Sequence, residues 1–487
     1  MNAVARISLP ALMALGLVAC TGETQRYAAR DAGFSNVALL ADNAVSKEAV
    51  WIQDKEAART NANRVSALVR GKTVDADTAV QVALLNNKGL QAAYADLGAS
   101  AAEAWQQTLL PNPKLSIGAI GIGTPGLEAY KSIEASVGAN LLAFFTRPAR
   151  VSEADARFQS AQLQAIDDTL RLANETRRAW IEAVAAFETI IYLNQAQMAA
   201  DAASQLAQEL GQTGALSKSG QAREHVFFAE LAGRKAKAKL AAQLAKEELA
   251  RLMGLWGDDL QFFVPDYLPE LPKTSPDIAA AESEALRNRP DLQMRKFELE
   301  AAARRYGLTD ATRYVSDLEL FGGFEKEREL KGGDKKHVMT GQAELEFEIP
   351  IFDSGEARLR KAELKYMKEA NLLAENAVGI RSEARAAVKS VTANHQIARH
   401  YRNSVLPLRA LIAEEALLTY NGMITNTFEL LEDTRARTEA VLLSVDAKRD
   451  FWLAATGLKA AIYGGSSGVA IAARDMPASD GGSGRGH

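Results

Sequence analysis

The chain has 487 residues, 47% hydrophobic and 24% charged, with a net charge of −4 and one cysteine, Cys20. The absence of a basic block argues against nucleic acid as a partner, and a single cysteine excludes a disulfide framework. Only 7% of residues are aromatic while alanine is abundant, which favours long, closely packed helices over a thick mixed core.

Residues 1–19 read as a signal peptide. Arg6 supplies a positive start, and Ile7 to Ala19 is an apolar run too short to span a bilayer. The run Leu17-Val18-Ala19-Cys20 resembles the lipobox of bacterial lipoproteins, which would make Cys20 a lipid-bearing N-terminus. The alternative is an ordinary signal peptide with Cys20 a bystander. No later segment reads as a transmembrane helix, although strands could still enter a membrane, since their signal is weak per segment.

The second half restates the first at an offset of about 202 to 208 residues. Ala83, Leu84, Asn86, Leu90 and Gln91 answer to Ala285, Leu286, Asn288, Leu292 and Gln293, and "ARLMGL" from Ala250 answers to "LAATGL" from Leu453. The expected organisation is an N-terminal segment over 20–77, a first repeat over 78–257, a proline-rich linker over 258–276, a second repeat over 277–463 and a disordered tail over 464–487. Each repeat opens with a helix, Thr78 to Leu109 or Asp277 to Leu308. Two strands follow, Lys114 to Gly123 and Ser132 to Leu142 in the first repeat, Ser316 to Glu325 and Val338 to Ile349 in the second. Their turns are "GTPG" from Gly123 and "KGGDKK" from Lys331. Two long helices complete each repeat, joined near Gly211 to Ser219 and near Asn421 to Asn426.

The strands alternate. Ile133, Ala135, Val137, Ala139 and Leu141 share one face, as do Ala343, Leu345, Phe347 and Ile349, with Glu344, Glu346 and Glu348 opposite. About ten residues is the length a tilted strand needs to cross a bilayer. Four strands cannot close, and open sheet edges are not tolerated in lipid, so membrane strands here require several chains to share one barrel. A soluble sheet with a solvated acidic row fits the same alternation. Phe158, Ala161, Ala165, Ala173, Trp180, Val184, Phe187 and Ile191 fall at helical spacing and read as core.

The runs "LLPNPKLSIG" (Leu109 to Gly118), "FEIPIFDSGEARLRKAE" (Phe347 to Glu363) and "YNGMITNTFELLED" (Tyr420 to Asp433) resemble those of the TolC family of outer-membrane efflux proteins. The resemblance covers Thr78 to Tyr463. It implies a mainly helical fold with a small β part: long antiparallel coiled coils form a tunnel, and four strands per chain join a twelve-stranded barrel in a homotrimer. It further implies a bacterial outer-membrane site with a long periplasmic extension, and as partners a periplasmic adaptor, an inner-membrane transporter and outer-membrane lipid. Segment 20–77 would be lipid-anchored in the periplasm.

Residue by residue, the resemblance makes Pro350, Phe352, Asp353 and Gly355 the strand-to-helix junction. The first repeat departs here: "LLAFFTRPARVSEA" from Leu141 lacks the Asp-x-Gly, and Pro148 comes late, which puts the bend in question. Gly214, Leu216, Ser217, Gly422, Ile424 and Thr425 would lie at the tip that meets the adaptor. Glu429, Glu432 and Asp433 would ring the periplasmic constriction, and Glu344, Glu346 and Glu348 would line the barrel lumen. The implied function is a passive exit duct of a tripartite system for small molecules or metal ions. Type I protein secretion and a periplasmic helical scaffold are the alternatives.

No phosphate loop, nucleophile elbow or Cys/His cluster supports an enzyme, and no cofactor or metal is expected. His395 and His400 lie about 140° apart on a helix and read as solvated.

Overall fold

A computed structural model describes residues 21–123, 130–214, 216–273, 280–331, 334–421 and 427–465. Residues 1–19, Cys20, Gly422, Ile424, Thr425 and the tail from 466 lie outside them. The helices are α1 (Thr21–Ala28), α2 (Phe34–Val45), α3 (Lys55–Val69), α4 (Ala76–Asn86), α5 (Lys88–Thr108), α6 (Leu141–Gln212), α7 (Lys218–Leu252), α8 (Ala281–Asn288), α9 (Pro290–Ala311), α10 (Glu356–His400), α11 (Leu406–Asn421) and α12 (Thr427–Tyr463). The strands are β1 (Lys114–Ile120), β2 (Ser132–Asn140), β3 (Leu318–Lys331) and β4 (Asp334–Phe347), one antiparallel sheet in the order β1-β2-β3-β4. The fold is thus mainly helical with a small antiparallel sheet.

Each expected opening helix is broken once, and at matching places in the two repeats. Asn87 is extended between α4 and α5, and Arg289 is extended between α8 and α9, where Pro290 takes the first helical turn. Only the latter break carries a proline signal in the sequence. At the former, the Asn86 side chain donates to the carbonyls of Met253 and Gly254, and Asn87 donates to that of Leu252. Those carbonyls end α7, so the asparagines satisfy a helix terminus.

The chain forms two compact units, each drawing on both repeats. One comprises 1–57, 88–168 and 289–382, with the sheet, α1, α2, α5 and α9. Phe34 meets Tyr94 edge to face (4.7 Å between centroids), as Tyr27 meets Phe158 (5.4 Å), while the Tyr27 hydroxyl donates to Asp155 at 2.6 Å. The other comprises 58–87, 169–288 and 383–487. Its interior holds Val65, Val69, Val80, Leu84, Leu85, Leu249, Met253 and Phe262, all at or below 2% exposure, as expected of a closely packed core.

In the second unit the proline-rich linker is held by side chains. Glu188 of α6 accepts from the Leu268 amide (2.9 Å), Trp452 of α12 donates to the Pro269 carbonyl (3.0 Å), Arg402 donates to Leu271 (3.4 Å), and His395 of α10 bonds Pro272 (2.9 Å). Lys448 neutralises the buried Glu188 at 3.4 Å. Prolines at every third or fourth position keep the linker out of a sheet, so its backbone polar groups are met one by one.

α10 and α11 run together through a π turn at Tyr401–Val405, where Leu406 N–H bonds the Tyr401 carbonyl. Pro407 is therefore absorbed without ending the helix. The wider turn makes room for the proline ring just after it.

Candidate functional site

Cross-strand pairing fixes the faces of the sheet. Leu115 opposes Val137, Ile117 opposes Ala135, and Ala119 opposes Ile133; Ala135 also opposes Phe324, Leu320 opposes Leu345, and Leu318 opposes Phe347. Paired residues share a face, so these make one apolar surface. It is uncovered: Leu115, Ile117, Val137, Met339, Leu345 and Phe347 are each 50% or more exposed. The opposite face carries Ser116, Glu134, Ser136, Glu319, Glu325, Glu344 and Glu346. Lys114 pairs there with Glu319 at 2.6 Å. Glu344 and Glu346 oppose Phe321 and Glu319 on that face. Glu348 lies one residue past β4 and accepts from the Ser316 hydroxyl. β1 and β4 are the two edges.

The strand lengths differ from expectation in both hairpins. β1 stops at Ile120, since Gly121 (φ 71°) and Gly123 (φ 83°) enter the left-handed region before the expected turn. β3 and β4 instead continue to Lys331 and back from Asp334. The stretch Arg328 to Lys331 is almost entirely polar on both faces, so its pairing leaves no period-two signal. Most of "KGGDKK" is therefore strand.

The two strand-to-helix junctions are built differently. In the second repeat, Gly355 (φ 76°) accepts a turn that an alanine could not make, because its Cβ would come 2.8 Å from the Arg313 carbonyl oxygen. Asp353 accepts from the Gly355 amide at 2.8 Å, and Arg313 ties the turn by donating to the Ser354 carbonyl (3.0 Å) and pairing with Glu356 (2.9 Å). Phe352, beyond Pro350, is wholly exposed. In the first repeat no turn intervenes. Asn140 ends β2 and its side chain accepts from the Ala143 amide at 2.6 Å, capping α6 at once. The missing Asp-x-Gly is replaced by one asparagine.

At the α6–α7 turn, Gly214 is left-handed (φ 76°), the Leu216 amide reaches back to the Leu210 carbonyl (3.1 Å), and Ser217 caps α7 by accepting from Gly220 N–H (3.2 Å). Among the expected constriction acids, the Glu432 side chain is exposed and lies 3.8 Å from Arg435, and Asp433 is half-buried. The Glu429 side chain lies outside the described residues.

Sequence reasoning missed the partner of this region. Arg435 of α12 pairs with Glu224 of α7 at 3.2 Å and lies over the Phe227 ring at 4.5 Å. Glu224 is 3% exposed, and one of its oxygens has no hydrogen-bond partner. Burial pushes its pKa above the ordinary carboxylate range, against the opposing pull of Arg435. Beside it, Ser204 and the His225 ring are joined at 2.7 Å. Glu224 sits in a run of charged residues whose pattern alone reads as a solvated face.

His395 is corrected: it is 4% exposed, bonded to the linker and packed on Phe451 at 5.4 Å, whereas His400 is exposed as expected. Among the described residues, no group of three or more His, Cys, Asp or Glu is placed to hold a metal, and no helix is long and apolar enough to cross a membrane.

No protein-family model and no curated protein matches the chain. Solved structures do. The chain is similar to CusC, described in connection with transmembrane channel formation, at TM-score 0.68 and 16% identity, covering 80% of this chain and 92% of that one. The outer membrane protein VceC of Vibrio cholerae matches at 0.66 and 16%, covering 80% and 96%. The CmeC outer membrane channel of Campylobacter jejuni matches at 0.61 and 19%, covering 83% and 86%. With four-fifths of its length superposable on proteins of this kind, the chain has the fold of outer-membrane channels.

Proposed function

We propose that the protein is the outer-membrane channel of a tripartite efflux system, a homotrimer whose sheets close a twelve-stranded barrel above a helical periplasmic tunnel. The observation that carries this reading is the sheet itself. It has one uncovered apolar face, one acidic face and two unpaired edges. Lipid outside, water inside and neighbouring copies at the edges satisfy all three at once. The likeness to outer-membrane channels supports the same reading.

In this reading Glu344 and Glu346 face the lumen and favour cations, with Glu348 at its rim. The tips at Gly214, Leu216, Ser217, Gly422, Ile424 and Thr425 meet a periplasmic adaptor. The acids Glu429, Glu432 and Asp433 ring the tunnel entrance, where the Glu224–Arg435 pair ties α7 to α12. Cys20 carries lipid after removal of 1–19. Small molecules or metal ions pass without catalysis, driven by an inner-membrane transporter.

The native mass of protein extracted by detergent from outer membranes tests the proposal. Three chains per particle are expected. A monomer released without disrupting the membrane would leave a periplasmic helical scaffold as the better account.

A further inference from the structure

Toward its hairpin end the sheet sorts its charges by face. On the apolar face, Leu318, Leu320 and Phe324 of β3 are followed by Lys326 and Arg328, and opposite them on β4 stand Phe347, Leu345, Gly341, Met339 and His337. Ile133 of β2 meets Lys326 from the other side. On the acidic face, the same stretch of β3 carries Glu325 and Glu327, opposite Thr340 and Val338. Charges placed only to solvate a hairpin need not separate by sign, since either sign serves that purpose.

Lys326 is exposed. Arg328 lies over the Tyr130 ring at 4.0 Å and donates to the Tyr130 hydroxyl at 2.6 Å. Among the described residues neither cation has a carboxylate partner, whereas the neighbouring Lys131 is held by Glu327 at 3.1 Å.

Strand geometry sets the level of these cations. From Phe347 to Met339 the strand rises about 26 Å at about 3.3 Å per residue, or about 20 Å upright at a tilt of about 40°. An apolar band of about 25 Å is thus nearly used up where Lys326 and Arg328 stand. An aromatic ring beside a cation suits that boundary. Lysine and arginine stems can lie along apolar neighbours such as Met339 and Ile133 while the charge reaches headgroup level. The helices join the sheet at its other end, where Asn140 opposes Glu319 and α6 begins at Leu141. The cations therefore belong to the leaflet away from the helices.

In a bacterial outer membrane that leaflet is built from lipid A, a phosphorylated and multiply acylated glucosamine disaccharide. A phosphate accepts from several donors at once, which an ammonium and a guanidinium side by side on one strand face supply. We propose that Lys326 and Arg328 bind a phosphate of lipid A, with Tyr130 holding the guanidinium and the acyl chains lying along the apolar face at Phe324 and Met339. This rests on the reading that the sheet spans the outer membrane.

The test uses the full chain purified in a neutral detergent and washed until its native mass spectrum shows no bound lipid. Particle mass and melting temperature are recorded first. Lipid A, the same lipid stripped of its phosphates, and phosphatidylglycerol are then titrated separately, and bound species are counted by native mass spectrometry. Lipid A should bind at least about tenfold more tightly than either of the others. K326Q/R328Q should weaken it by about tenfold or more at an unchanged melting temperature, and K326Q alone, at an exposed position, by about threefold. K131Q removes a cation that Glu327 already holds and should leave lipid A binding within about twofold of the parent protein.

Unchanged lipid A binding in K326Q and in K326Q/R328Q, an equal loss in K131Q, or equal affinity for the stripped lipid or for phosphatidylglycerol would overturn the proposal. If the particle has the mass of three chains, such a result removes the lipid site alone. A particle of one chain that never fractionates with membranes removes the channel reading as well.

Discussion

Gly355 and Gly214 share a left-handed conformation but not an environment. An alanine at 214 meets nothing within 4 Å and suffers backbone strain alone, whereas one at 355 also strikes the Arg313 carbonyl. Gly214→Ala is expected to cost about 1 kcal/mol and Gly355→Ala about 2–4 kcal/mol, read from thermal melts of the purified protein. Equal melting temperatures would show that the junction can relax. Glu224 provides a pH signature at the same scale. Its folded pKa is raised, so its contribution to stability is complete below the ordinary carboxylate pKa and is lost as pH rises through the folded value. Helical content near neutral pH should accordingly melt at lower temperature than in mild acid. Glu224→Gln should flatten that window, and an unchanged pH profile in the variant would refute the assignment.

At the scale of elements, the linker clasp and the sheet faces make separable predictions. Lys448→Met leaves Glu188 buried without its cation and should cost about 3–5 kcal/mol, while Trp452→Phe removes one hydrogen bond and should cost about 1 kcal/mol. Calorimetry that ranks the two the other way would argue that the linker is held mainly by packing. On β2, Val137 and Ser136 are adjacent but face opposite sides. Val137→Arg should cost about 2–4 kcal/mol if the residue lies at the membrane midplane, and should reduce recovery in the outer-membrane fraction. Ser136→Arg should be recovered normally, and equal loss from both would contradict the assigned faces. The alternation of Ile133, Ala135 and Val137 made these faces legible, because a half-buried strand writes its environment every second residue. The far end of the β3–β4 hairpin was illegible for the converse reason: a strand polar on both sides writes nothing.

For the whole molecule, the recurring order of helix, hairpin and helix pair was readable because the same signals come twice along the chain. The α6–α7 turn was readable too, since Gly214 and Ser217 are local signals for a left-handed residue and a cap. Long-range polar contacts were not. Nothing local to Glu224 announces Arg435, more than 200 positions away, and nothing local to His395 announces the Pro272 carbonyl that buries it. The linker presents the same difficulty in another form. Its prolines mark it as neither helix nor strand, but the four side chains that hold it come from helices far apart in sequence.

The π turn at Tyr401–Val405 has one more effect. Every residue of an α-helix rotates the next by about 100°, so a turn that takes in one extra residue acts as a frameshift in the angular reading of the helix. Leu406–Asn421 therefore presents a stripe displaced around the axis from the one that continuous counting up to His400 would project. A deletion of one residue between 401 and 405 would put the helix back in frame with itself and, by doing so, turn the wrong side of α11 toward α12.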